Sequence, residues 1–251
     1  MSECTESPHL VIACGGTGGH FYPTLAIARE FSKRDGRVTL LVSGKHASEQ
    51  KKIADSYGFS ACEIQAVRLP SGILHFITFP FQFCNCILRA RKILRTLHPD
   101  ILLGMGSFAA VPACLALSRK ELPLVLHEGN SFMGKANRWL ARKASAIALS
   151  LPLRYSAQLK GKRSATVGMP LREAIVEGAK LQGLPEDYMA SHGLLPDRRT
   201  ILVFGGSQGA RFINELLTNT LPLLQDFNAE IQFIHLTGTD DNDALLSAYR
   251  Q

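Results

Sequence analysis

Four glycines and a histidine within residues 14–20 make this segment the best suited to chemistry. The run reads Cys-Gly-Gly-Thr-Gly-Gly-His and lies between an apolar, strand-like segment at 9–13 and a helix-like segment that begins at Pro23. Glycines let the backbone approach a ligand closely and turn its N–H groups outward. The helix that follows favours an anion at its start, so the turn suits a phosphate or diphosphate. His20, at the mouth of the turn, is a candidate general base.

Two other interpretations of this turn compete with an anion site. The first is a structural strand-to-helix connection in which His20 only holds the turn. The second is a dinucleotide site, which needs G-x-G-x-x-G and an acidic residue at the end of the second strand. Phe21 occupies the place of the third glycine, and the second strand runs into Ser43-Gly44-Lys45 without a carboxylate. A nicotinamide cofactor is therefore disfavoured.

The size and cysteine content of the chain fit a reduced globular protein. With 251 residues and 46% hydrophobic content, it can form one large or two modest domains. Its six cysteines include no C-x-x-C pair, so we expect reduced thiols in the cytosol. The first eight residues lack the basic and apolar regions of a signal peptide, and the apolar stretch 73–88 is too short to span a membrane.

The formal charge of +7 is concentrated in two windows without Asp or Glu, at 64–99 and 129–172. A solvated basic face is common and explains such windows without any ligand. Their number in one half of the chain favours a surface that meets anionic lipid or phosphate. Nucleic acid is disfavoured as a partner, because the basic residues are not interleaved with aromatic residues in a known binding motif.

Strand-like and helix-like segments alternate along the chain, which predicts a doubly wound parallel sheet. The predicted strands are 9–15, 37–43, 60–67, 100–104, 122–127, 144–150 and 164–167, and the predicted helices lie near 23–34, 46–57, 80–97, 109–119 and 132–143. The segment 168–199 is rich in glycine and proline and predicts a linker. A second strand, glycine-rich turn and helix follow at 200–217, and one more strand follows at 230–236.

Six motifs together resemble the MurG family of peripheral membrane glycosyltransferases of bacterial peptidoglycan synthesis. They lie in family order over essentially the whole chain: Gly15–His20 with Pro23, Gly104-Met105-Gly106, His127-Glu128-Gly129-Asn130, Asn137–Ala141, Gly168–Arg172 and Gly205–Arg211. The resemblance implies an α/β fold of the GT-B architecture, with two Rossmann-like doubly wound domains. It implies an acceptor and membrane domain at 1–167, a linker at 168–199 and a donor-nucleotide domain at 200–251.

The resemblance also implies an activity and its partners. Family members transfer N-acetylglucosamine from UDP-N-acetylglucosamine to the C4 hydroxyl of the muramyl sugar of lipid I, forming lipid II with inversion and without a metal in the chemical step. The implied partners are this donor, lipid I and the anionic cytoplasmic leaflet, where the enzyme is peripheral. No cofactor and no nucleic acid are implied.

Seven residues of this chain match family positions with a role. His20 matches the histidine proposed as general base, and Thr17, Gly18 and Gly19 match the turn that faces the acceptor diphosphate. Asn130 matches a residue used on the donor sugar, although an Asx turn would also explain it. Arg172 offers a fork of donors to phosphate, or is a surface arginine of the linker. Ser207 matches the turn that takes the donor diphosphate. Glu128 and His127 are candidates for a supporting role only.

Three departures from the family pattern limit these expectations. Ser107-Phe108 stands where the family has a glycine pair, and Gly129 stands where it has glutamine. The family also continues for about a third more of its length, with the residues that grip uracil and ribose. We therefore expect the second domain to be incomplete and the 251-residue chain alone to be inactive. A related lipid glycosyltransferase and a non-catalytic fragment that keeps acceptor binding remain as alternatives.

Overall fold

The computed structural model describes residues 7–64, 73–159, 161–205, 211–238 and 243–250. The chain divides into two compact units, Met1–Val176 and Glu177–Gln251. This division falls within the segment 168–199. The boundaries at 167 and 200 remain predictions from the sequence.

The first unit is built on a sheet of seven parallel strands. They are β1 (His9–Gly15), β2 (Arg37–Ser43), β3 (Ser60–Ile64), β4 (Ile101–Gly104), β5 (Leu124–Glu128), β6 (Ala146–Leu149) and β7 (Ser164–Thr166), in the spatial order β3-β2-β1-β4-β5-β6-β7. The connecting helices are α1 (Gly18–Ser32), α2 (Ala47–Ser56), α3 (Ile73–Leu97), α4 (Val111–Leu115) and α5 (Lys135–Leu140), and α6 (Glu173–Gly178) follows the last strand.

The central strands are apolar on both faces, and this explains the layered core. All seven residues of β1 are buried. Val11 and Ala13 pack into one hydrophobic cluster, whereas Leu10 and Ile12 pack into a second cluster on the other face. Because side chains alternate along a strand, each face of the sheet needs its own cover of helices. The predicted doubly wound α/β class is therefore confirmed.

The order of the strands places a crevice between β1 and β4. The chain runs from β1 outward to β2 and β3, then returns to β4 on the other side of β1. Ligands of open α/β sheets bind outside the carboxyl ends of the strands at such a reversal. The segments that leave these two ends are residues 16–17, which run into α1, and 105–107, so the glycine-rich turn lies at the switch point.

Two helices begin earlier than the sequence predicts. We predicted a start at Pro23 for the first helix and at 80 for the third, whereas α1 begins at Gly18 and α3 at Ile73. Prolines are common at helix starts. Pro23 and Pro80 instead lie inside their helices. Among the described residues, no helix combines the length and apolar character needed to cross a membrane.

The second unit has little core of its own in its described residues. It contains α7 (Glu186–Ser191), β8 (Arg199–Phe204), α8 (Arg211–Thr220), β9 (Ile231–Leu236) and α9 (Asp243–Arg250), with β8 and β9 paired in parallel. Of these described residues, only Asn214 and Leu245 are buried. Ile201, Leu202 and Phe204 of β8 are exposed, as expected for a sheet of two strands without helices on both faces.

Candidate functional site

The glycines of the first turn divide into a structural pair, Gly15 and Gly16, and a second pair, of which Gly19 is exposed. Gly15 has a φ of +153°, and a Cβ there would overlap the carbonyl oxygen of Ser43. A Cβ on Gly44 would come within 3.2 Å of the Gly16 nitrogen. Gly15 and Gly16 therefore let the turn pass close to the end of β2, which is the structural role. Gly19 is exposed and its virtual Cβ meets only Thr17 Oγ1 at 3.7 Å, so its backbone is open to a ligand.

Thr17 begins α1 without capping it through its side chain. Its backbone is extended, with φ −85° and ψ 167°, and its hydroxyl makes no capping hydrogen bond. Its main-chain carbonyl instead accepts the amides of His20 and Phe21, at 3.1 and 3.4 Å. The Thr17 hydroxyl thus leaves the first-turn N–H groups of Gly18 and Gly19 uncovered. These groups, with the positive end of the helix dipole, suit an anion.

The imidazole of His20 is oriented by the backbone of the neighbouring loop. His20 Nδ1 lies 2.9 Å from the carbonyl oxygen of Met105. A carbonyl oxygen only accepts, so Nδ1 donates and Nε2 is left as the acceptor. Met105 is itself anchored, since its amide donates to the Ala13 carbonyl at the end of β1, at 3.0 Å. A histidine held in this tautomer at the crevice has the form that a general base needs.

A buried carboxylate organises the loop that follows β5. Glu128 Oε1 accepts both the main-chain and the side-chain nitrogen of Asn130, each at 3.0 Å. Glu128 Oε2 accepts the amide of Gly134 at 2.8 Å and Asn137 Nδ2 at 2.9 Å. Asn137 Nδ2 also donates to the His127 carbonyl at 2.9 Å. Asn130 is exposed, so a fixed but accessible amide stands at the carboxyl end of β5.

Buried His127 ties the ends of β5 and β6 to the segment after β7. Its Nε2 lies 2.9 Å from Ser150 Oγ, which donates to Met169 Sδ at 3.6 Å. This chain of bonds is consistent when His127 Nε2 donates to Ser150. Burial lowers the pKa of His127; the carboxylate of Glu128 opposes that shift and His20 adds to it. His127 is therefore a neutral structural group beside the crevice.

Arg172 lies against α1, beside the glycine-rich turn. Its guanidinium carbon is 4.6 Å from the centre of the Tyr22 ring. A Cβ on Gly18 would in turn be 3.2 Å from Tyr22 Cε2. Stacking on an aromatic face leaves the N–H edges of a guanidinium free to donate. The structure thus places Arg172 on Tyr22, one turn after the first residue of α1.

Of the predicted site residues, Thr17, Gly18, Gly19 and His20 lie together on the first turn of α1, with Arg172 beside them. Asn130 and Asn137 are both bound to Glu128. A Cβ on Gly106 would lie 3.4 Å from Asn137 Nδ2 and close to the His20 ring, so these contacts connect Asn130 to the turn. Ser207 lies outside the described residues.

Sequence reasoning missed Tyr22, and it quoted Asn137 within a motif without giving it a role. Asn137 is the first residue of the quoted Asn-Arg-Trp-Leu-Ala motif, and the available signal for its role was a polar residue on the buried face of α5. Tyr22 had no such signal, because an aromatic residue at the surface of a helix is ordinary.

Comparison with known families identifies the family of the chain. The model of the glycosyltransferase family 28 N-terminal domain matches residues 10–149, and that of the family 28 C-terminal domain matches residues 200–251. The chain belongs to glycosyltransferase family 28. These matches, together with the relatives and solved structures described below, confirm the predicted resemblance to MurG and the GT-B fold class.

Two curated relatives illustrate the similarity. Proteins of Halothermothrix orenii and Streptomyces avermitilis are 33% and 36% identical over 96% and 92% of this chain. Both are named UDP-N-acetylglucosamine--N-acetylmuramyl-(pentapeptide) pyrophosphoryl-undecaprenol N-acetylglucosamine transferase. The chain spans 64% and 61% of their lengths.

Solved structures share the fold at low sequence identity. Acinetobacter baumannii MurG matches 97% of this chain and 64% of its own, with a TM-score of 0.68 and 22% identity. The UDP-GlcNAc 2-epimerase of Neisseria meningitidis, solved with UDP-GlcNAc, matches 96% of this chain and 70% of its own, with a TM-score of 0.62 and 12% identity. At these identities the likeness concerns the fold alone.

Proposed function

We propose that the whole protein transfers N-acetylglucosamine from UDP-N-acetylglucosamine to the C4 hydroxyl of the muramyl sugar of lipid I, with inversion and without a metal in the chemical step. The observation that carries this proposal is the tautomer of His20. Its Nδ1 is bound to the Met105 carbonyl at 2.9 Å, and Nε2 is left to accept a proton in a crevice beside an anion-binding turn. The names of the family 28 relatives supply the substrates.

In the chemical step, His20 accepts one proton. As the C4 oxygen attacks the anomeric carbon, Nε2 takes the hydroxyl proton, and the carbon–oxygen bond to UDP breaks with its electron pair on the diphosphate. Attack from the face opposite the leaving group inverts the anomeric centre. In this proposal Ser207 and its glycine-rich turn receive the departing diphosphate, and main-chain N–H groups stabilise its charge.

The described residues divide the remaining roles between acceptor and donor. The N–H groups of Gly18 and Gly19 with the Thr17 hydroxyl contact the acceptor diphosphate, and Arg172 adds a guanidinium edge to phosphate. Asn130 contacts the donor sugar. The support for this division is the accessibility of the Gly19 backbone and of Asn130.

We further propose that the outward face of α3 meets the anionic cytoplasmic leaflet. Ile77, Phe81 and Leu88 are exposed by 63%, 76% and 62%, and their spacing puts them on one side of the helix. Lys92 and Arg95 lie on the same side nearer the end of α3. Arg95 follows Ile77 by 18 residues, which make about five turns of helix. An apolar half followed by a basic half suits an interfacial helix.

The test of the catalytic proposal is the variant His20→Ala in the whole protein. Turnover should fall about 100-fold or more, while the affinity for UDP-N-acetylglucosamine changes little. His46→Ala is the control, since His46 lies at the start of α2, after β2, and β1 separates β2 from β4. Near-normal turnover of His20→Ala would return His20 to a structural role. The product linkage, read by NMR, should be inverted relative to the donor.

We also propose that the 251-residue chain by itself does not transfer sugar. The support is the second unit, whose described residues bury only Asn214 and Leu245. Calorimetry with UDP-N-acetylglucosamine is the direct measurement, and micromolar affinity for this chain would contradict the proposal. Retained affinity for a lipid diphosphate acceptor would favour the alternative of an acceptor-binding fragment.

A further inference from the structure

We infer that Glu128 is a positioning residue, whose carboxylate holds Asn130 in the orientation that meets the donor sugar. The role of Asn130 rests on the proposed function; the geometry that holds Asn130 does not. Glu128 is only 2% exposed, so a ligand in the crevice has no direct access to its carboxylate.

The two oxygens of Glu128 are each occupied by two donors. Oε1 receives both nitrogens of Asn130 at 3.0 Å, and Oε2 receives Gly134 N at 2.8 Å and Asn137 Nδ2 at 2.9 Å. Four N–H groups point at the side chain, and each oxygen must accept twice. Only a carboxylate satisfies all four, since any group that presents a hydrogen would face two donors.

This arrangement fixes the Asn130 side chain before a ligand arrives. Its main-chain and side-chain nitrogens converge on one oxygen, which restricts both side-chain torsions. An exposed asparagine without these bonds would sample several rotamers, and the loss of that freedom on binding would weaken the contact. Glu128 therefore preorganises Asn130.

Asn137 extends the effect of Glu128 toward His20. Its Nδ2 is shared between Glu128 Oε2 and the His127 carbonyl. The same nitrogen lies beside Gly106, in the loop whose Met105 carbonyl holds His20. A disturbance at Glu128 thus reaches the loop that orients the candidate base.

Two variants separate the hydrogen-bonding pattern from the volume of the side chain. Glu128→Gln keeps the volume but places an NH2 group against two donors. Glu128→Asp keeps the carboxylate but is one methylene too short to reach Asn130 and Gly134 together. Glu49→Gln repeats the first change at an exposed position of α2 and is the control.

The kinetic test uses the whole protein and compares Glu128→Gln, Asn130→Ala and the double variant. Each single variant should lower kcat/KM for UDP-N-acetylglucosamine about 10- to 100-fold, the loss expected for hydrogen bonds to a charged group. The double variant should be no more than about twofold worse than the poorer single variant, because both changes remove the same contact. Losses that multiply would overturn the inference.

A second measurement does not depend on transfer. In NMR spectra, Glu128→Gln should shift the side-chain amide of Asn130 and the main-chain amide of Gly134, and should accelerate their hydrogen exchange, whereas Glu49→Gln should not. Unchanged signals would overturn the inference. If the wild type transfers no sugar but these signals respond, the proposed function fails and the positioning geometry stands. Should Glu128→Gln not fold, Glu128→Asp serves in both experiments, with the same pattern expected at a smaller magnitude.

Discussion

The bare Cα of Gly106 lies against the side-chain amide of Asn137. A Cβ at position 106 would be 3.4 Å from Asn137 Nδ2 and 3.6 Å from Cε1 of His20. Both distances are ordinary contacts, so space alone does not require glycine there. The backbone does, because φ is +80° at Gly106.

Gly106→Ala should therefore reduce stability by about 1–2 kcal/mol, the cost of a left-handed residue with a Cβ. Gly58 offers a matched control, since its φ is +79° and its virtual Cβ has nothing within 4 Å. Gly58→Ala should lose a similar amount of stability in chemical denaturation. Only Gly106→Ala should also lower transfer, because only its methyl group touches His20 and Asn137. Equal transfer by the two variants would show that the contact has no functional weight.

Ser107 is held in a conformation that favours glycine. Its φ is 63° and its ψ is 153°, and its hydroxyl accepts the Ala109 amide at 3.1 Å. The variants Ser107→Ala and Ser107→Gly both lose this cap, but only glycine relieves the backbone. We expect the glycine variant to be more stable than the alanine variant by about 1 kcal/mol, the reverse of the usual order. Denaturation midpoints of the two variants decide this, and an alanine variant at least as stable would contradict it.

Much of the first unit follows from periodicity in the sequence. The predicted strands agree with all seven strands to within a few residues. Continuous apolar runs identify the central strands, because strands of a parallel sheet are buried on both faces, whereas all three residues of β7 are exposed. Phe83, Ile87, Ala90, Leu94 and Leu97 recur at helical spacing, which is enough to indicate the buried side of α3, and these residues pack into one core cluster. The predicted starts at 23 and 80 were late, because Pro23 and Pro80 lie inside α1 and α3 rather than at their first residues.

The site was predictable only where the residue type itself indicates the backbone conformation. The glycines predicted the turn. Which of them pack against β2 depends on the approach of Ser43 and Gly44, which are distant in sequence. The carbonyl that orients His20 belongs to Met105, and no side-chain pattern reveals a main-chain acceptor. The four donors around Glu128 likewise converge only when the loop after β5 folds over it.

Acid should destabilise the first unit below pH about 6.5. Burial lowers the pKa of His127, and burial followed by the charge of Arg37 lowers that of His9. Between the lowered pKa and the ordinary value of 6.5, the unfolded chain binds protons that the folded chain does not. Stability therefore rises with pH through this window and is fully present above it.

The measurement is the unfolding midpoint from pH 8 to pH 5. We expect a lower slope for His127→Gln, whose amide still donates to Ser150 but does not titrate. A wild-type midpoint that stays constant between pH 7 and pH 5.5 would contradict the assignment.

Amide exchange should differ between the two sheets. β1 and β2 are buried almost throughout, whereas the apolar residues of β8 are exposed. Because local opening is easier where little apolar surface is buried, amides of β8 and β9 should exchange faster than those of β1 and β2. Hydrogen exchange with mass spectrometry tests this within one chain, and equal protection of both sheets would refute it.

Binding of α3 to membranes should depend more on its apolar half than on its arginines. Arg91 and Arg95 already lie 3.7 and 3.2 Å from Glu121 Oε1. Hydrogen bonds from Ser118 and Arg95 hold the pKa of Glu121 at about 2, so this partner stays charged at neutral pH. Each basic residue near an anionic surface contributes about 1 kcal/mol when it is unpaired. When Arg89, Arg91, Lys92 and Arg95 are all changed to Gln, the free energy of liposome binding should therefore weaken by less than about 1 kcal/mol for each residue.

Phe81→Ser tests the apolar half, and Phe212→Ser is its matched control, because the two rings are 76% and 75% exposed. In sedimentation with anionic liposomes, Phe81→Ser should release most of the bound protein and Phe212→Ser should not. Glu121→Gln should instead strengthen binding at low salt, since it frees Arg91 and Arg95 for lipid phosphates, and high salt should remove this gain. Equal binding by all three variants, or binding that ignores lipid charge and salt, would exclude α3 as the membrane-contacting helix.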